Sequence, residues 1–198
     1  EEIRVCSHHR ELYAREGDKI VLFIGRLVKE KGVQVLLQSA CEVLFEIPDC
    51  KFIIAGRGPM FDELESIASD HESHVLFTGF VKSREKNFLL GIADLCVFPS
   101  LYEPFDIVAI EAMGSGTPIV VSDVGGLAEI VEHGRTGLTS APGDAHMLAE
   151  RILRVLRVPS TGNRIAEARK REALSRYDWS HSAFRTKEVY SPLSGVRL

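Results

Sequence analysis

Five times in succession along this chain a short apolar run is followed by a segment with helical spacing. That alternation limits the fold more than any other feature. The runs are 20–24 (IVLFI), 51–55 (KFIIA), 75–77 (VLF), 95–98 (LCVF) and 118–121 (PIVV), with a weak sixth near Leu138. They are continuously apolar rather than alternating, as strands covered on both faces are. The helical patterns cover 33–45, 60–69, 83–91, 105–114 and 127–132, and three more fall near 144–156, 163–175 and 179–190. Strand followed by helix, repeated, predicts an α/β fold: a doubly wound, Rossmann-like, six-stranded parallel sheet with helices on both faces. Within 198 residues this reads as one domain over 20–190, a linker over 1–19 and a tail over 191–198. If the strand order is 3-2-1-4-5-6, the sheet reverses between its first and fourth strands, and ligands bind outside the carboxyl ends there. The loops to inspect are therefore 25–32 (GRLVKEKG) and 99–106 (PSLYEPFD).

The first loop lacks G-x-G-x-x-G, and GRGP at 56–59 follows the second strand, away from the reversal, so nicotinamide binding is disfavoured. There is no G-x-x-x-x-G-K-[ST] either. Instead Arg26, Lys29 and Lys31 stand between Gly25 and Gly32, where glycine lets backbone approach a ligand. Converging cations suit a diphosphate; the competing reading is an ordinary solvated loop. A net charge of −4 argues against a nonspecific nucleic-acid partner. No apolar run reaches the ~18 residues of a membrane span. The four cysteines, Cys6, Cys41, Cys50 and Cys96, form no C-x-x-C. They read as reduced thiols of a cytoplasmic protein, three of them core filler. No D-x-D and no His/Cys/Asp spacing suggests metal ligands, so a metal-independent site without a cofactor is expected.

The second loop leads into a helix start near Phe105, whose bare N–H groups and dipole favour an anion. Two carboxylates frame it. Glu111 is the only charged residue between Ile107 and Val121, and Glu103 stands eight positions earlier. Two helical turns separate groups by roughly 9–12 Å, too far for a close acid–base dyad but suited to gripping two parts of an elongated ligand. A carboxylate can accept from two neighbouring hydroxyls, as ribose or hexose recognition requires. Glu111 needs a partner in its apolar setting, either an internal donor or a ligand. Glu103 reads alternatively as a helix-entry acid favoured by the dipole.

Taken together, strand-GRL-x4-KG, the GxGP turn, G-F-V at 79–81 and E-P-F-x-x-V-x-x-E-A-x-x-x-G-x-P-I-V-x-S-x-x-G-G-x-x-E-I-V-x-x-G-x-T-G resemble the group 1 (family 4) glycosyltransferases. The likeness is to the C-terminal, nucleotide-sugar-binding half of their GT-B fold and runs over about 20–150. The resemblance implies that Arg26 and Lys31 bind the donor diphosphate and neutralise the leaving group, beside Gly25. It implies that Glu103, the first glutamate of E-x7-E, lies near the donor sugar. The backbone of Phe105, Asp106 and Ile107 would contact sugar and phosphate, Glu111 would hold the ribose hydroxyls, and the backbone at Val81 would touch the base. It further implies a retaining hexosyl transfer to an acceptor hydroxyl. A similar-sized N-terminal domain, not found in this chain, would bind the acceptor, usually supply a catalytic histidine, and carry any peripheral membrane association. The donor half alone is expected not to turn over.

Family members usually carry Gly at the place of Asp106 and commonly Asp at that of Arg57. A carboxylate at Asp106 would repel the donor phosphate unless turned away or capping the helix. Ser83 stands where some guanine-nucleotide users have a carboxylate, favouring UDP or ADP sugars. Two other classes stay open: an epimerase of the same fold, and a non-catalytic module binding nucleotide or partner protein.

Overall fold

The computed structural model describes residues 10–158, together with 183, 184, 186, 187 and 190. The six strands are β1 (Lys19–Ile24), β2 (Cys50–Ala55), β3 (Val75–Gly79), β4 (Leu95–Phe98), β5 (Ile119–Ser122) and β6 (Leu138–Ser140). All pair in parallel, in the order β3-β2-β1-β4-β5-β6, so the reversal lies between β1 and β4 as expected. The helices are α1 (Val33–Glu46), α2 (Phe61–Ala68), α3 (Ser83–Ile92), α4 (Ile107–Ser115), α5 (Gly125–Ile130) and α6 (Ala145–Arg157). A single 3-10 turn, Lys29–Lys31, precedes α1.

Successive strand residues point to opposite faces, and in the inner strands β1, β2, β4 and β5 both faces are covered. Phe23, Phe52, Ile54 and Val97 pack against α1, α2 and α6. Leu22, Ile53, Phe98 and Val121 pack against α3, α4 and α5. Each such side chain, wholly removed from water, contributes about 1.5–3 kcal/mol. This accounts for the unbroken apolar runs, because a polar residue on either face would be buried. Cys50 and Cys96 are buried among these strands and Cys41 is exposed on α1; Cys6 lies outside the described residues. Burial pushes the Cys50 thiol up to about 12, so it behaves as a small apolar side chain rather than a nucleophile.

Strand and helix bounds all fall within two residues of the sequence reading; α5 is displaced by two at both ends and α4 by two at its start. That helix begins at Ile107, not Phe105. Nor is it enclosed all round: it buries Ala109, Ala112 and Met113, leaves Ile107 exposed and half-buries Glu111. The helix expected at 163–175 lies outside the described residues. Of that expected at 179–190, residues 183, 184, 186, 187 and 190 are described and helical.

Candidate functional site

The turns after β1, β2 and β3 remain joined edge to edge beyond the sheet. The Gly25 N–H donates to the Ala55 carbonyl at 3.0 Å, that of Gly56 to Gly79 at 2.8 Å, and that of Leu27 to Arg57 at 3.0 Å. Gly58 shows why the GxGP turn needs its second glycine. A Cβ there would lie 2.2 Å from the Leu27 carbonyl oxygen, inside the contact distance of rigid backbone. Above these turns opens a cleft of about 520 Å³ lined by Gly25, Arg26, Gly56, Arg57, Phe80, Val81, Lys82, Ser83 and Lys86, among others. Four cations border it and, among the described lining residues, no carboxylate does. Arg26 stands exposed at its rim and makes no side-chain hydrogen bond or ion pair among the described residues.

Across the sheet reversal lies a second, enclosed cluster. The Lys31 ammonium, on the 3-10 turn, donates to Glu103 Oε2 and, at 2.7 Å, to Asp106 Oδ2. Both carboxylates are nearly removed from solvent, at 5% and 3% exposure, and Ser100 Oγ donates to Glu103 at 3.3 Å. Burial lowers the Lys31 pKa, but its hydrogen bonds to Asp106 and Glu103 and their negative charges outweigh it, and the net shift is upward. The loops themselves are tied, with the Leu101 N–H on the Glu30 carbonyl at 2.7 Å.

Asp106 changes the picture of the helix end. Its Oδ1 accepts from the Val108 and Ala109 N–H groups at 2.9 and 3.2 Å, making it the N-cap of α4. The bare amides expected at this helix start are therefore partly answered from within the chain. The residue in place of the usual glycine points its charge into the helix and onto Lys31, which is the arrangement that removes its repulsion for a phosphate.

Glu111 finds the internal donor its setting called for. Lys86, from the first turn of α3, holds its Oε1 at 2.5 Å and its Oε2 at 2.6 Å. Glu103 and Glu111 thus have separate lysines and form no dyad. Lys86 also lines the cleft, so it links Glu111 to that space. It was missed in the sequence, although a lysine one turn inside a helix that follows the G-F-V turn was the signal available. Of the candidate residues, Gly25, Arg26 and Val81 line the cleft, and Lys31, Glu103 and Asp106 form the cluster. Phe105 and Ile107 show their side chains to solvent.

The G-G pair at 125–126 supports this loop from behind. The Gly126 N–H donates to the Glu103 carbonyl at 2.9 Å, and a Cβ on Gly126 would fall 2.4 Å from the Pro104 carbonyl oxygen. Gly126→Ala is expected to push the 103–105 loop outward and destabilise the chain by roughly 1–3 kcal/mol. A chemical-denaturation midpoint equal to that of the parent chain would contradict this packing.

Among the described residues no group of three or more His, Cys, Asp or Glu side chains converges as metal ligands. No described helix is long and apolar enough to cross a membrane.

Comparison with known proteins gives this arrangement its context. The chain is 38% identical over 186 residues to an uncharacterized glycosyltransferase, MJ1607, of Methanocaldococcus jannaschii, covering 93% of this chain and 47% of that protein. It is 38% identical over 178 residues to a glycogen synthase of Mycobacterium tuberculosis, covering 89% and 43%. Among solved structures, Anabaena Alr3699/HepE in complex with UDP matches with a TM-score of 0.86 and 26% identity, over 95% of this chain and 52% of that one. The chain spans about half the length of the curated relatives it matches, and its sheet is that of the C-terminal half of the GT-B fold. The family model for glycosyl transferases group 1 covers residues 7–172, and the chain belongs to that family.

Proposed function

We propose that this chain holds a nucleoside diphosphate sugar, as the donor-binding half of a cytoplasmic enzyme that transfers the sugar to an acceptor hydroxyl with retention. One observation carries the reading: a cation-lined cleft over the turns after β1, β2 and β3 and, across the reversal, an enclosed Lys31–Glu103–Asp106 cluster stand at the same carboxyl edge of the sheet. The HepE structures with UDP and with UDP-glucose support the same ligand class.

In this reading the base lies over the Val81 backbone, and the ribose faces Glu111. The diphosphate lies between Gly25–Arg26 and Lys31, near the backbone of Phe105, Asp106 and Ile107. As the anomeric bond breaks, negative charge grows on the diphosphate, and Arg26 and Lys31 stabilise it. A preorganised group of this kind is worth about 3–4 kcal/mol, by analogy with an oxyanion-hole donor. Glu103, held by Lys31 and Ser100, faces the sugar and supports its developing positive charge. The donor's charge is met by side chains, so the grip is metal-independent and needs no cofactor. A separate domain supplies the acceptor site, and the exposed Tyr102, Phe105 and Ile107 beside the cluster are the surface it covers; without it this chain does not turn over. Ser83 favours UDP or ADP sugars.

Glu111→Ala tests the arrangement. It is expected to weaken UDP binding by about tenfold, the loss of a charged hydrogen-bond acceptor, and to leave pyrophosphate binding within about twofold. Isothermal titration of both ligands reads this; equal losses contradict a ribose role, and no binding of either removes the donor reading. Product analysis with the complete enzyme separates transfer from epimerisation.

A further inference from the structure

From the ion pair between α3 and α4 we infer that Lys86 is a positioning residue, which holds the Glu111 carboxylate beside the cleft so that an outer lone pair receives a ribose hydroxyl. The inference rests on the donor reading above and adds a residue to it.

Glu111 sits on the half-open side of α4, and its side chain is 35% exposed. Left alone, a glutamate there would sample several rotamers, each ordered at a cost in entropy when a ligand arrives. Lys86 removes that freedom. Its ammonium straddles both carboxylate oxygens, at 2.5 and 2.6 Å. Two contacts from one ammonium fix the plane of the carboxylate as well as its position. An ionised carboxylate has about four lone-pair sites. A single donor between the oxygens uses the inner pair, and an outer lone pair on either oxygen stays free to accept from one hydroxyl. The same lysine lines the cleft beside Val81, Lys82 and Ser83, so the carboxylate it holds is one contact away from that space. α3 and α4 lie against one face of the sheet through Leu89, Leu90, Ala109 and Met113. The two ends of the ion pair are thereby carried by packed helices rather than by loops.

A mere tie between helices would make a different prediction, because it would alter stability without distinguishing one ligand from another. The test compares UDP with 2′,3′-dideoxy-UDP on the parent chain and on Lys86→Met, Lys86→Arg and Glu111→Ala, by titration calorimetry. Lys86→Met is expected to weaken UDP by roughly tenfold, converted as one factor of ten in affinity, and to change dideoxy-UDP by less than about twofold. Lys86→Arg is expected to recover most of the loss, since a guanidinium also bridges a carboxylate. Unchanged UDP affinity in Lys86→Met overturns the inference, as does an equal loss for both ligands, which would mean that Lys86 acts on phosphate or base. If the parent chain itself binds the two ligands equally, and Glu111→Ala shows no preference either, the ribose reading of Glu111 fails first. That outcome differs from a selective Glu111→Ala beside an unselective Lys86→Met.

Discussion

Replacing Lys31 by methionine is expected to lower the stability of this chain by roughly 3–5 kcal/mol, the cost of breaking a buried ion pair by removing one partner. Glu103 and Asp106 are 5% and 3% exposed, and Lys31 is the cation that answers both. Two carboxylates left facing each other without it must take up protons or draw in water. Urea denaturation reads the effect as a fall in midpoint. An unchanged midpoint would show that the two acids are solvated in solution and that no enclosed cluster exists.

The triple variant Lys31→Met/Glu103→Gln/Asp106→Asn separates folding from binding. It removes all three charges, keeps an asparagine to cap α4, and is expected to regain most of the stability while failing to bind UDP. The pH dependence follows from the raised Lys31 pKa. The folded ammonium holds its proton more tightly than the unfolded one, so its contribution is complete below the ordinary 10.5. It is lost as pH climbs through the higher folded value. The parent chain should therefore lose stability above that point by a component that Lys31→Met lacks.

The second large effect falls on affinity rather than stability. Arg26→Ala is expected to weaken UDP by roughly 10- to 100-fold, the loss of charge-assisted hydrogen bonds to phosphate. It should shift the unfolding midpoint by no more than about 0.5 kcal/mol, as exposed substitutions do. Lys31 commits two of its three N–H donors to carboxylates, whereas Arg26 stands at the cleft rim with its guanidinium open to a ligand. Arg26→Lys should recover only part of the affinity, because an ammonium cannot present a planar fork to two oxygens. Weaker binding in higher salt would accompany the parent chain more than the variant. Equal UDP affinity in Arg26→Ala and the parent would remove the diphosphate from this cleft.

The sheet was legible in the sequence because its chemistry is repetitive. A strand buried on both faces leaves little room for large polar side chains, so 20–24 and 95–98 stood out, and short β6 was marked weakly because Leu138 is its one large apolar residue. The α4 start was harder to place. Apolar spacing carries back to Phe105, but Asp106 adopts an extended conformation, φ −118° and ψ 102°, and turns its side chain onto the amides ahead of it. Capping is a local competition between side chain and backbone that periodicity does not register. The partners of the two glutamates were hidden for another reason. Lys31 and Lys86 lie 72 and 25 residues from the acids they hold, and only the packed helices and turns bring them together.

The stitched turns at the ends of β1, β2 and β3 have a bearing on turnover. Backbone joined edge to edge, with Gly58 flush against Leu27, cannot fold down over a guest. In the proposed transfer these three turns therefore serve as a fixed jaw, and any opening and shutting falls to other parts.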